Sequence, residues 1–236
     1  MLEQTLKDNI QKINQTIETA TKLSHREKDS VHLVCVSKSV DVETTQQVVD
    51  AGIYHLAENR VEKLLEKKSK IKTSEPITWH FIGNLQRRKV KEIINEIDYF
   101  HALDSFKLAR EINKRATQEI KCFLQVNVSG EASKQGISPE EIDSVIQAIA
   151  DLERVKIVGL MTMAPINSQE TELRNIFSQL SNLRDQIAEQ KLPHAPCLEL
   201  SMGMSQDYGL AIEEGATFVR VGSEFFNQKE KEVEER

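Results

Sequence analysis

Leu2, Leu6, Ile10, Ile13, Ile17, Ala20 and Leu23 recur at spacings of three and four. They predict one amphipathic helix over residues 1–24, with Lys, Gln, Asn and Glu on its outer side. The polar stretch from Ser24 to Ser30 ends it. Beyond it, short apolar runs alternate with helical patterns. Val31–Val36 reads as a strand before a helix over Val42–Ala51, and Tyr54–Ala57 as a strand before Arg60–Lys70. Thr78–Ile82 precedes Arg87–Asn95, and Tyr99–Ala102 precedes Phe106–Thr117, with Asp104 placed to cap that helix. Cys122–Val128 precedes Pro139–Ala150, where Ser138 and Pro139 suit the N-cap and first turn. Val155–Met161 precedes a long helix within Glu170–Gln190. Leu198–Leu200 precedes a helix near Gln206–Glu214 that stops at Gly215, and Phe218–Val221 closes the series.

Eight strand-like runs, each followed by a crossover, predict a single parallel (β/α)8 TIM-type barrel with an extra N-terminal helix. The strands are apolar without clean alternation, as strands covered on both faces are. The open dinucleotide-binding alternative loses support because no G-x-G-x-x-G follows the first strand. The barrel is expected over 31–226, the helix of 1–24 packs on it, and 227–236 reads as a charged, solvated tail.

Composition narrows the function. The 236 residues carry 31 basic against 37 acidic side chains, a net charge of −6, which argues against a general nucleic-acid binder. Cys35, Cys122 and Cys197 are an odd number without a C-x-x-C pair, so a disulfide framework or zinc knuckle is not expected, and a reducing, cytoplasmic setting fits. No signal-peptide core or 18-residue apolar run is visible, so neither leader nor membrane span is expected.

In such a barrel the chemistry gathers at the carboxyl ends of the strands. Lys38 follows the first strand, Asn59 the second, and Gly83 and Asn84 the third. Asn127 and Ser129 end the fifth, Met161 and Thr162 the sixth. Ser201 ends the seventh within S-M-G-M-S, and Arg220, Gly222 and Ser223 close the eighth. A lysine leaving an apolar strand into a barrel mouth is costly to keep charged, which favours the free, nucleophilic amine a Schiff base needs; a snorkelling strand-end lysine is the plainer alternative. Lys134, in G-E-A-S-K-Q-G, reads as an exposed loop charge suited to a passing anion. Ser201, Gly203 and Ser205, with Gly222 and Ser223, suggest a phosphate cradle, since such sites lie after strands seven and eight; alternatively they only make turns. Arg220, between Val219 and Val221, needs a partner: an internal carboxylate such as Glu199, or a ligand acceptor such as a pyridine nitrogen. His55, His80 and His101 lack metal-ligand spacing and read as core histidines, and no metal site is expected.

Taken together, V-S-K, A-E-N-R-V, W-H-F-I-G-N-L-Q, Q-V-N-V-S-G-E-A-S-K-Q-G, G-L-M-T-M-A, L-S-M-G-M-S-Q-D and V-R-V-G-S resemble, in order and spacing from about Val31 to Phe226, the pyridoxal phosphate homeostasis proteins. These YggS-like proteins are single-domain relatives of the alanine racemase barrel. The resemblance implies pyridoxal 5′-phosphate held as an internal aldimine on Lys38. Ser201, Gly222 and Ser223 would bind the phosphate, Arg220 would face the pyridine nitrogen, and Asn59 would make a cofactor-side polar contact. It further implies a cytoplasmic monomer that buffers and delivers the cofactor without a robust reaction of its own. Its partners would be B6 vitamers and apo pyridoxal-phosphate enzymes, not nucleic acid or membrane. Q-R-R-K stands where Q-S-N-K is common, and Ser223 with Phe225-Phe226-Asn227 replaces the usual Thr and Phe-Gly ending.

Two alternatives are an active pyridoxal phosphate racemase or decarboxylase and a Schiff-base aldolase. The first lacks the second domain that supplies a partner-subunit acid/base in the resembling enzymes, and Tyr208 alone lies near the site. The second needs an internal acid/base pair that the sequence does not offer.

Overall fold

The eight apolar runs become eight strands: β1 His32–Val36, β2 His55–Glu58, β3 Thr78–Phe81, β4 Tyr99–Leu103, β5 Ile120–Gln125, β6 Val155–Met161, β7 Glu199–Met204 and β8 Phe218–Val221. In the computed structural model, which describes residues 2–131, 135–165 and 167–227, they pair in sequence order, all parallel. β8 closes on β1 to complete the barrel. The expected fold is the fold observed.

The intervening helices are α2 Val42–Asp50, α3 Val61–Lys70, α4 Val90–Ile93, α5 Phe106–Arg115, α6 Ile142–Ala148, α7 Glu170–Ala188 and α8 Tyr208–Glu213. α1 Leu2–Leu23 precedes the barrel, and the short α9 Ser223–Phe226 follows it. α1 buries Leu6, Ile10, Ile13, Ile17 and Ala20, the stripe read from the sequence, against α8 and α9. Asn9 Nδ2 donates to the carbonyls of Phe225 and Asn227, which ties the two ends of the chain together.

Several boundaries move. The cap of α5 is Ser105, whose hydroxyl accepts from Leu108 N, not Asp104; the Asp104 carboxylate instead accepts from that hydroxyl. The segment 87–96 is a single turn of α-helix between two 3₁₀ turns rather than one helix. β5 stops at Gln125, three residues short of Val128. Ser138 and Pro139 do open the α6 region, with Glu141 accepting from Ser138 N at 2.9 Å.

The largest departure is β7. It runs through S-M-G-M to Met204 instead of ending at Leu200. Gly203 sits at φ +90°, and the pairing with β8 shifts between Ser201 and Met204. Only a residue without Cβ takes that backbone cheaply, so a bulge is built into the strand where a simple turn was expected. Ser201, before the bulge, is fully buried, and Lys134 and the tail beyond Asn227 lie outside the described residues.

Candidate functional site

Lys38 lies two residues beyond β1, and its side chain is exposed. The burial expected from the sequence is not found: Lys38 stands in the open at the rim of the barrel. β1 and β8 pair through Val34 with Arg220 and Cys35 with Val221. Gly222 therefore packs on Val36, where an added Cβ would stand 3.3 Å from the valine Cβ and carbonyl oxygen. The turns carrying Lys38 and Ser223 leave adjacent strands side by side. From β7, Ser205 reaches the same point: its hydroxyl accepts the Gly222 N–H at 3.1 Å. Asp207 closes the intervening turn by accepting from Met204 N at 2.6 Å. Ser223 and Asn59 are exposed at their strand ends.

Arg220 is almost wholly buried. One terminal nitrogen donates to Ser201 Oγ and the other to the Thr162 carbonyl, at 3.0 Å for the latter. Burial lowers its pKa to about 10, against a smaller raising effect of Asp207, so it remains a cation at neutral pH. Glu199 is not its partner. Among the described residues no carboxylate pairs with Arg220, and its two acceptors are neutral oxygens.

Ser201 lies inside β7, not at its end. Its hydroxyl is fully buried, between Arg220 and His101 Nδ1 at 2.8 Å. It lies under the guanidinium, while Ser205, Gly222 and Ser223 form the strand-end cluster. Beyond it a string of imidazoles crosses the lumen. His101 Nε2 meets His80 Nδ1 at 2.8 Å, and His80 Nε2 meets His55 Nδ1 at 3.0 Å. His55 stacks on the exposed His32 at the barrel floor. Burial pushes His80 and His101 well below the usual imidazole range, helped by His101 and His55 for the first and Arg220 for the second. His55 falls to about 4, mainly through burial and then through His32. These are hydrogen-bonded core histidines, and no group of three or more metal-ligating side chains occurs among the described residues.

Asn127 and Ser129 are occupied locally: Asn127 Nδ2 donates to the Glu131 carbonyl and its Oδ1 accepts from Ser129. A buried ion pair was not foreseen at all. Lys67 on α3 and Glu58 at the end of β2 are 1% and 0% exposed and bonded to each other. The Lys67 amine also donates to the Ser37 carbonyl at 2.7 Å, and the Ser37 hydroxyl to Glu58 at 3.0 Å. The available signal was that Lys67 shares a helical face with the buried Val61 and Leu64.

An exposed amine and a group of strand-end hydroxyls stand at the rim, with a buried guanidinium within β8, in a barrel of the alanine racemase type. The family model "Alanine racemase, N-terminal domain" matches residues 3–228. The chain belongs to the pyridoxal phosphate homeostasis protein family. It is 35% identical over 230 residues to the Aquifex aeolicus protein of that name, covering 94% of this chain and 97% of that one. An unknown protein from Bifidobacterium adolescentis superposes with a TM-score of 0.89 at 33% identity, covering 95% of both chains. PipY of Synechococcus elongatus, solved with PLP bound, gives 0.78 at 30% identity, covering 90% of this chain and all of that one. No helix among the described residues is long and apolar enough to cross a membrane.

Proposed function

We propose that this chain binds pyridoxal 5′-phosphate at the carboxyl-end mouth of the barrel, covalently through Lys38, and holds and hands on the cofactor without running a robust reaction of its own. The observation that carries this reading is Arg220: a buried cation bonded to neutral oxygens, in register with β1, the strand that leads to Lys38. A donor-only cation suits an unprotonated ring nitrogen. The donor set fits the rest of the molecule. The exposed Lys38 amine would be the group that holds the aldehyde. The hydroxyls of Ser223 and Ser205 would donate to the phosphate, Gly222 would let it approach the backbone, its N–H now held by Ser205, and Asn59 is a polar neighbour at the rim.

When bound, the cofactor supplies an electrophilic aldehyde on an electron-withdrawing ring. Racemisation or decarboxylation would also need acid/base groups beside it. Tyr208 is a poor candidate: its hydroxyl bonds Glu224 Oε1 at 3.2 Å, and burial holds its pKa up at about 12. B6 vitamers sharing the phosphate and ring would compete for the site, and apo enzymes that use this cofactor are the recipients we propose. We further propose that the protein works as a monomer in the cytoplasm, where its buried, unpaired cysteines stay reduced.

An absorbance spectrum before and after borohydride reduction tests the reading. The wild type should show a borohydride-sensitive band, Lys38→Ala should lose it while staying folded, and peptide mapping should place the adduct on Lys38. A colourless protein after incubation with the cofactor, or an adduct mainly on Lys134, would overturn it.

A further inference from the structure

We propose that His55, His80 and His101 form a directed hydrogen-bond relay, ending on Ser201, that positions Arg220 from beneath. Burial keeps the two inner imidazoles neutral, and a neutral imidazole has one N–H and one lone pair. His80 and His101 each use both ring nitrogens, so fixing one proton in the string fixes all the others.

The direction is set at the Arg220 end. A guanidinium only donates, so Ser201 Oγ must accept from it. The serine proton then needs an acceptor in a fully buried place, and His101 Nδ1 stands 2.8 Å away. His101 accepting there must carry its proton on Nε2 and give it to His80 Nδ1. His80 in turn gives its Nε2 proton to His55 Nδ1. The reverse polarity would aim two donors at the Ser201 oxygen and strand its own proton, at a cost of roughly 1–3 kcal/mol for an unpaired buried polar group. Bonded neighbours in this string are up to 100 positions apart in the chain, and the string crosses from β2 through β3 and β4 to β7.

The consequence is that Ser201 presents a lone pair, never a proton, to Arg220. With the bond to the Thr162 carbonyl, this holds the guanidinium plane at both terminal nitrogens. The floor end is also defined: His55 faces the exposed His32 and feels Asp98, and His80 lies against Tyr99. The importance of the relay for ligand binding rests on the cofactor reading above, but its protonation pattern does not.

Ring-¹⁵N histidine NMR of the cofactor-free full chain at pH 7 tests the pattern, with His80→Phe and His101→Phe giving assignments. All three rings should be neutral with the proton on Nε2. An Nδ1–H tautomer or a doubly protonated ring among them would overturn the proposal. The positioning role is tested with pyridoxine 5′-phosphate, which cannot form an imine. His101→Phe should weaken its binding about tenfold, the loss of one well-placed hydrogen bond. His101→Asn, whose Oδ1 can accept the Ser201 proton, should restore most of it. Unchanged affinity in the folded Phe variant, or no rescue by Asn, would remove the positioning role. If the wild type binds neither phosphorylated vitamer, the cofactor reading fails while the tautomer measurement still decides the relay.

Discussion

Lys67 Nζ donates to the Ser37 carbonyl at 2.7 Å, so a lysine buried on α3 holds the peptide directly before Lys38. The same amine pairs with Glu58, whose second oxygen has no partner. Breaking a buried pair leaves an uncompensated charge, whereas replacing both members by apolar groups need not. Lys67→Met and Glu58→Leu should each lower unfolding free energy by about 3–5 kcal/mol, and the double variant should recover most of it. Urea unfolding of the three variants checks this, and additive losses would show that the pair is not coupled.

Arg220 should keep the cofactor's ring nitrogen unprotonated. It offers only donors, and at a pKa of about 10 it does not give up its charge near neutrality. An unprotonated ring is a weaker electron sink, which suits retention over turnover. NMR with ring-¹⁵N cofactor should find the nitrogen unprotonated in the wild type and protonated in Arg220→Glu. A protonated wild-type nitrogen at neutral pH would refute the assignment.

The phosphate should dominate affinity. In the proposed cradle each charge-assisted bond that Ser205 or Ser223 would give is worth about 1.5–3 kcal/mol, so unphosphorylated pyridoxal should bind more than about a hundredfold more weakly than its ester. Gly222→Val should act in the same direction, because the side chain would be driven into Val36. Equilibrium binding of pyridoxal, its phosphate and pyridoxine phosphate decides the point. Equal affinity for pyridoxal and its ester would reduce the cradle to turn residues.

Acid should destabilise the fold through the imidazole string. His80 and His101 sit well below their ordinary 6.5 in the folded chain because they are buried. The unfolded chain therefore binds more protons as pH falls through 6.5, and stability drops below that point while it is unaffected above. The loss should reach about 1.4 kcal/mol per pH unit for each ring. Urea midpoints between pH 7.5 and 5 should show this slope, and His80→Phe should flatten it. An unchanged slope in that variant would place the acid sensitivity elsewhere.

The order of eight strands and their helices was legible in the sequence because apolar periodicity is a local signal. Parallel closure then made strand ends the place to look. Lys38, Asn59, Arg220, Gly222 and Ser223 are singled out in this way, and closure of β8 on β1 sets the ends carrying Lys38 and Gly222 side by side. The pairing across the barrel was not legible. Arg220 was visibly in need of a partner, but Glu199 and a ligand stood level until register put Ser201 and Thr162 against it. β7 runs on past Ser201 through a bulge at Gly203, a conformation that no hydrophobic pattern announces. His55, His80 and His101 read correctly as core residues, yet their direction and their link to Arg220 depend on how strands 25, 21 and 100 residues apart in sequence lie across one lumen. Lys67 and Glu58 were hidden for the same reason: each is an ordinary charge in its own segment, and only the packing of α3 on β2 makes them a buried pair. Local pattern decides which residues form elements, and the closure of the sheet decides which polar groups must satisfy one another once water is gone.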